Sequence, residues 1–401
     1  MSFPLAPHGS ARRAFPAHWI VYAVSFAASY PVPAVMPVLP LIKAHLTITD
    51  SAAALINFAF ALPCMFMTPI YGILADRVPV KKLLAPCVFF FTLGTFCCGL
   101  ADSLVELIFW RLVQGVGGAS LSLFNTSLMG DLFSGPERGK YMGRSFAVLS
   151  VGVLVFPILT GRLAEVAGWR YAFFIPALSN LPLLAATLLM PSTPKTPVPP
   201  LRTYLVQALE IVKSRQALYV FAISFCNVFV TMGTIMTFYP LYADLRFHAT
   251  AGDIGLIYAL GMCGMPAGSM LMSWNRKLRI GQLVGGIALL AALGMLVMPC
   301  LPSLWMLLFP LLICAMNDGV TQPSLSYVMS NLGEGTARTA AIAASNTFMR
   351  MSQTTGPIIG GMILACGGSY QAIFVLSGLF LALQCALALT HLKDGKGKTH
   401  S

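Results

Sequence analysis

Apolar stretches of about twenty residues, repeated along the whole chain and parted by short polar breaks, set the first limit on what this sequence can fold into. A hydrocarbon layer about 30 Å thick needs roughly 20 apolar residues per helical crossing. Twelve stretches meet that length, at 18–42, 52–74, 83–101, 104–127, 141–164, 171–190, 217–243, 253–273, 281–300, 304–329, 339–365 and 371–391. The count depends on dividing two tight hairpins, near Asp102 and Pro302. Of the 401 residues 57% are apolar and 9% charged, against roughly a quarter charged in a soluble domain. Water is therefore excluded as the solvent for most of the surface. The expected fold class is all-α, a polytopic membrane protein of twelve transmembrane helices.

The basic residues give an orientation. With the amino terminus inside, 19 of the 25 Lys and Arg residues fall on the cytoplasmic side. Four fall outside, namely Lys43, Arg162, Arg170 and Arg246, and two, Arg111 and Arg350, sit within spans. This is the asymmetry of the positive-inside rule and predicts both termini in the cytoplasm. The pair Arg12 and Arg13 anchors the first span rather than marking an export signal, because eleven further spans follow. The net charge of +12 is dispersed over short loops facing anionic lipid. No basic stripe with interleaved aromatics is present, so a nucleic-acid partner is not expected. The ten cysteines lie in or beside apolar spans without zinc or disulfide spacing, and read as apolar filler. No metal and no cofactor is expected.

The longest polar interruption, 191–216, is rich in proline and basic residues and reads as a cytoplasmic linker. It divides the chain into a bundle at 1–190 and another at 217–391, with a cytoplasmic tail at 392–401. Sliding the sequence by about 200 residues superposes the fifth and eleventh spans. Ser145 meets Ser345, Pro157 meets Pro357, Ile158 meets Ile358, Gly161 meets Gly361 and Gly168 meets Gly368. Parallel six-helix repeats imply a pseudo-twofold axis along the membrane normal, with a site at the midplane between the halves.

Between the second and third spans stands Gly72-Ile73-Leu74-Ala75-Asp76-Arg77-Val78-Pro79-Val80-Lys81-Lys82. Gly72 would permit close helix approach, and Asp76 could pair with Arg77 or with donors on a neighbouring helix. The segment resembles the GxLaDrxGrk loop of the major facilitator superfamily, with Pro79 and Val80 in place of its later Gly and Arg. Three further elements resemble the twelve-helix drug:proton antiporters of that superfamily. Arg111, Gln114, Gly115 and Gly117 match the RxxqGxg motif of the fourth span, and Pro37-Val38-Leu39-Pro40 matches the PvxP element. The antiporter motif of the fifth span is partial: Gly143, Gly152, Pro157 and Gly161 are in register, but Phe156 and Thr160 stand where glycines belong. The eleventh span carries Gly356-Pro357-Ile358-Ile359-Gly360-Gly361 intact. Gly152, Pro157, Gly161, Gly356, Pro357, Gly360 and Gly361 are the expected helix pivots, since proline removes a backbone hydrogen bond and small residues let helices pack closely.

An ionisable side chain near the bilayer centre costs about 2.5–3.5 kcal/mol on insertion scales and is a functional hypothesis by default. Three qualify: Arg111, Asp318 and Arg350. Asp318 lies in the polar run Asn317-Asp318-Gly319-Val320-Thr321-Gln322, and is the first candidate for the coupling proton site. A permanent pair with Arg350 is the competing reading. Two arginines against one aspartate would leave a net positive cavity if all three face it, easier for an anionic or zwitterionic substrate than for a cation. Tyr30, Gln114, Asn227, Asn317 and Gln322 join them as candidate site residues. Asn57, Asn125, Thr231, Thr234, Asn346 and Gln353 are further polar positions on the path.

The resemblance implies a proton-coupled secondary transporter, not an enzyme, exporting a small organic or drug-like compound by alternating access. The implied setting is a bacterial inner membrane, with protons and a small molecule as partners and a monomer as the functional unit. Uptake of an organic anion, sugar or amino-acid-like solute is the nearest rival. A non-transporting sensor or lipid-handling protein is a third reading, for which no nucleotide loop or nucleophile elbow speaks.

Overall fold

The computed structural model describes residues 17–133, 135–189, 213–274, 278–330 and 336–392. The expected linker and tail lie almost wholly outside the described residues, as does the side chain of Asp76. All regular structure among the described residues is helical. In chain order the α-helices are α1 (Ala17–Ser29), α2 (Leu39–Leu46), α3 (Asp50–Arg77), α4 (Val80–Leu100), α5 (Leu104–Leu132), α6 (Gly135–Ala167), α7 (Tyr171–Ser179) and α8 (Leu181–Leu189). The second half continues with α9 (Arg215–Val228), α10 (Tyr239–Phe247), α11 (Ala251–Met262), α12 (Gly264–Trp274), α13 (Ile280–Val297), α14 (Leu308–Ser330), α15 (Thr336–Ala365) and α16 (Tyr370–His391).

Ten helices among the described residues are long and apolar enough to cross a membrane. The other two of the twelve spans depart from that pattern for separate reasons. Helix α15 is 30 residues long but carries Arg350, Ser352, Gln353, Thr354 and Thr355. It packs on α3 and on the middle of the seventh span, so protein rather than lipid meets much of its polar face. The first span, expected as one helix over 18–42, is broken between Ser29 and Met36. Pro31 and Pro33 supply no amide hydrogen, and proline blocks continuation of the preceding turn. The freed carbonyls find donors on neighbouring spans: Arg111 Nη1 donates to Pro31 O at 2.9 Å and Thr160 Oγ1 to Ala34 O at 2.8 Å. Irregular backbone at membrane depth is tolerated only when satisfied in this way.

The seventh span, expected as a regular helix over 217–243, is π-helical from Phe229 to Phe238 between α9 and α10. Its register shows in the Tyr239 N–H donating to Thr234 O and in Thr237 Oγ1 reaching Met232 O at 2.9 Å. Such widened turns are rare and concentrate at functional sites. At the end of the molecule that holds residues 47–49 and 248–250, helix starts are fixed by side-chain caps. Thr49 accepts from Ala52 N, Ser103 from Glu106 N, Thr250 from Asp253 N and Ser369 from Ala372 N. These caps satisfy amide groups a helix start leaves unpaired, and let the hairpin at Asp102 turn in three residues.

The two six-span bundles meet mainly through α3 against α15 and α6 against α11. The 200-residue repeat equates α6 with α15, so the two contacts are images of each other under the pseudo-twofold axis. Both rest on backbone-to-backbone approach. A Cβ on Gly255 would overlap the Pro157 carbonyl, and one on Gly161 would lie 2.9 Å from the Ala251 carbonyl carbon. Within the second half, Gly356 and Gly233 face each other at 2.9 Å on the same measure. Gly152 abuts Ser29, Gly360 the Phe238 ring, and Gly361 Ala54 and Ser51. The expected pivots are thus contact points, and α6 and α15 run unbroken through Pro157 and Pro357. Gly72 corrects an expectation: a Cβ there meets only Leu123, at an ordinary 3.6 Å. Close approach by the first bundle's helices falls instead at Gly115, against the Phe60 carbonyl, and at Gly117, against the Cys87 carbonyl.

Three buried apolar clusters fix the conformation. One joins both halves, with Met36, Ile42, Ile56 and Phe173 packed in common with Phe238, Tyr239, Ile254 and Phe374. Another holds only first-half residues such as Val24, Leu84 and Leu128, and the third only second-half residues such as Val220, Leu283 and Val328. The halves therefore share a core at the end bearing residues 47–49 and 248–250, the closed end, and have separate cores toward the Gly72–Lys82 loop, the open end. There Arg77 and Lys82 are exposed and Lys81 half-buried.

Candidate functional site

A cavity of about 250 Å³ lies between the halves. Ser29, Pro31, Asn57, Phe60 and Ser122 line it from the first bundle, and Thr231, Met236, Tyr258, Asp318, Arg350 and Gln353 from the second. The break in the first span and the π segment of the seventh both border it, so the two departures from regular helix converge on one place.

Asp318 projects from α14 into this cavity. Asn227 Nδ2 donates to its Oδ1 at 2.7 Å, and Thr231 Oγ1 stands 3.0 Å from both carboxylate oxygens. Asn227 is held in turn by Asn317, whose Nδ2 donates to Asn227 Oδ1 at 2.6 Å. Behind it Gln384 Nε2 donates to Asn317 Oδ1 at 3.2 Å and to Thr321 Oγ1 at 3.1 Å. This amide ladder is fully buried and orients Asn227 toward the carboxylate. Among the described residues, all donors on Asp318 are neutral. No Arg350 nitrogen comes within 4.0 Å of it, and the ion pairs among the described residues lie elsewhere. The expected alternative of a permanent Asp318–Arg350 pair is not what the structure contains. Arg350, from α15, donates from Nη1 to Gln353 Oε1 at 2.9 Å, while its buried Nε has no hydrogen-bond partner among the described residues.

Arg111 is placed differently from expectation. It is wholly buried and does not line the cavity. Nε donates to Ile56 O at 3.1 Å, Nη1 to Pro31 O and to Gln114 Oε1 at 2.8 Å, and Nη2 to Asn57 Oδ1 at 3.1 Å. Phe60 and Phe173 rings flank the guanidinium at 5.2 and 5.9 Å. Gln114 passes the network to Thr95 at 2.8 Å. Asn57 carries it across to the second half, with Nδ2 donating to Met236 O at 3.2 Å and Thr237 Oγ1 at 3.1 Å. Arg111 thus ties the first, second and fourth spans and, through Asn57, the π segment. Removing it from the cavity changes the sign argument, for one arginine now faces one aspartate.

The remaining expected residues separate into those near the carboxylate and those away from it. Asn227 and Asn317 support Asp318. Gln322 lies one helical turn beyond it, half-buried and outside the cavity lining. Tyr30 packs between Phe91 and Phe156 and accepts from Asn180 Nδ2, stitching the first span to the sixth. Asn125 bonds Ser25 and Ser145, and Thr234 meets Ser377 at 2.5 Å. Phe156 and Thr160, which replace motif glycines, fill the gap beside the broken first span. Sequence reading missed Gln384, although a single amide in the apolar run Leu381-Ala382-Leu383-Gln384-Cys385-Ala386-Leu387 was a signal. It also missed the methionines of the cavity wall, which look like any apolar filler.

Two membrane-embedded bundles sharing a core at one end and parting at the other, around a polar cavity, define a transporter that works by moving its halves. The chain belongs to the Major Facilitator Superfamily, whose sequence model matches residues 18–334. It is similar to the multidrug resistance protein 1 of Bacillus subtilis (strain 168), 22% identical over 92% of this chain and 95% of that protein. It is also similar to the MFS-type efflux pump MMF1 of Pseudozyma antarctica (strain T-34), 31% identical over 43% of this chain but only 32% of the pump. The chain matches only about a quarter to a third of the length of several such relatives. Among solved structures it resembles a bacterial homolog of the human lysosomal transporter Spinster in an inward-facing, unoccupied conformation. That likeness has a TM-score of 0.77 at 16% identity, covering 96% of this chain and 98% of the other.

Proposed function

We propose that the protein is a proton-coupled antiporter that exports a small organic compound across a bacterial inner membrane by alternating access. The observation that carries this reading is the carboxylate of Asp318, exposed to the cavity and held only by neutral donors. With no resident cation on it, its charge is neutralised either by a proton or by a cationic group of the substrate, and two occupants that exclude each other are what exchange requires. Relatives named as efflux and multidrug resistance proteins support export.

The exposed basic residues of the open end favour placing it in the cytoplasm, with both termini there, the bundles at 1–190 and 217–391, and the loop from Gly72 to Lys82 gating that side. In this orientation the conformation is inward-facing, and substrate enters from the cytoplasm. Asn227 and Thr231 hold the carboxylate in the cavity, and the ladder through Asn317 keeps Asn227 in place. Opening the closed end would break the Asn57 bonds to Met236 and Thr237 and release the α6–α11 contact. The test is proton flux in everted vesicles or proteoliposomes. Asp318→Asn is expected to abolish substrate-dependent proton exchange while leaving the protein folded, and a variant that still exchanged protons for substrate as the wild type does would refute the assignment.

A further inference from the structure

Arg350 and Asp318 carry opposite charges into the same small cavity, yet neither neutralises the other. Asp318 is satisfied by Asn227 and Thr231, and Arg350 spends one donor on Gln353. The guanidinium has five N–H donors in a fixed fork suited to a carboxylate or similar anion. Its Nε is buried without a partner, an arrangement that costs free energy until an acceptor arrives. The cavity that holds the two charges also has an apolar and adaptable lining in Phe60, Met232, Met236, Met262 and Met265. Methionine fills irregular gaps and accommodates more than one ligand shape.

Resting on the reading of this cavity as the transport site, we infer that the substrate is a small zwitterion with an apolar or aromatic body, its ammonium group seated on Asp318 and its acid group on Arg350. A purely cationic compound would occupy Asp318 but leave the buried Arg350 donor unpaired beside a second positive charge. A purely anionic one would satisfy Arg350 but place a negative charge in the same cavity as the Asp318 carboxylate. Only a ligand carrying both groups neutralises both at once, and desolvated charges without partners are the costly case. The cavity, at about 250 Å³, is slightly below the usual size of ligand sites and suits a single ring system. The other titratable groups nearby are Tyr258 and Cys314 beside Asp318 and Cys64 beside Arg350.

Two matched trios test this on the purified full-length protein by calorimetric or thermal-shift titration: tryptophan, tryptamine and indolepropionate, and phenylalanine, phenethylamine and hydrocinnamate. In at least one trio the zwitterion is expected to bind more tightly than either singly charged member by about tenfold or more, the scale of a charged hydrogen bond. Arg350→Gln should remove the preference for tryptophan over tryptamine, and Arg350→Lys should restore part of it. A ranking in which neither zwitterion leads, including one in which none of the probes binds, overturns the inference, as does an unchanged ranking in folded Arg350→Gln. Proton release into weak buffer, read in the same titrations, reports on the antiport reading separately. Amine-led rankings in both trios with proton release would sink the zwitterion and leave antiport standing, and a zwitterion-led ranking without proton release would do the reverse.

Discussion

Gly255→Ala puts a single methyl group where the two halves touch through backbone alone. The added Cβ would lie 2.8 Å from the Pro157 carbonyl carbon and closer still to its oxygen. Neither atom belongs to a side chain that can rotate away, so relief requires α6 and α11 to separate. Overpacking of this kind costs about 1–3 kcal/mol, and the cost applies only to the conformation with this end closed. The ratio of closed to open should then fall by about five- to 150-fold at 25 °C, since each 1.4 kcal/mol is tenfold. Spin labels at the exposed positions His45 and Leu245, on a cysteine-depleted background, would report the separation by pulsed dipolar spectroscopy as a second, longer distance. Gly286→Ala is the matched control, because a Cβ at Gly286 meets nothing within 4 Å. An unchanged distance distribution in Gly255→Ala would refute the claim that the α6–α11 contact belongs to one state of a two-state cycle.

Asn57→Ala removes the link between Arg111 and the second half and leaves a buried guanidinium donor without its partner. A loss of about 1–3 kcal/mol is expected, read as a lower thermal midpoint in detergent together with a shift toward the open closed-end distance at the same labels. Thr160→Gly restores the glycine of the antiporter motif but deletes the hydrogen bond to Ala34 O. It should cost about 0.5–1.5 kcal/mol plus the conformational cost of glycine in a helix, about 0.5–1 kcal/mol, and a variant as stable as wild type would show that the break in the first span is satisfied in another way.

Hydropathy made twelve spans legible because the bilayer imposes one length on every crossing, and the 200-residue repeat made the pairing of α6 with α15 legible because Gly and Pro mark contacts a larger residue cannot replace. What stayed hidden were the departures from regular helix. Pro31 and Pro33 signal a kink in any span, but a full break depends on donors arriving from elsewhere, and those came from Arg111 and Thr160, eighty and more residues away in sequence. The π segment at Phe229–Phe238 has no composition of its own. It is stabilised by what it faces: Gly356 against Gly233, Asn57 against Met236 and Thr237, and the Asp318 carboxylate against Thr231.

The two membrane arginines show why the site could be read only in part. Each is the one cation at membrane depth in its span, and each has a glutamine three residues later, Gln114 after Arg111 and Gln353 after Arg350, that accepts from its Nη1. Sequence gives them the same local signature, yet one is structural and one faces the cavity. The difference lies in what each helix meets. Arg111 stands opposite the broken first span and α3, where a freed carbonyl, a second backbone carbonyl and Asn57, together with Gln114 on its own helix, take four of its five N–H donors. Arg350 lies on α15 facing α3, where Thr354 takes the Ala61 carbonyl, and among the described residues its guanidinium donates to Gln353 alone, with Nε left over. A guanidinium with its acceptors supplied by backbone becomes a staple, and one denied them keeps donors for a ligand. The proline break in the first span supplies one of those acceptors and α3 supplies two others, so residues far in sequence from both arginines decide that the guanidinium facing the cavity belongs to the second half.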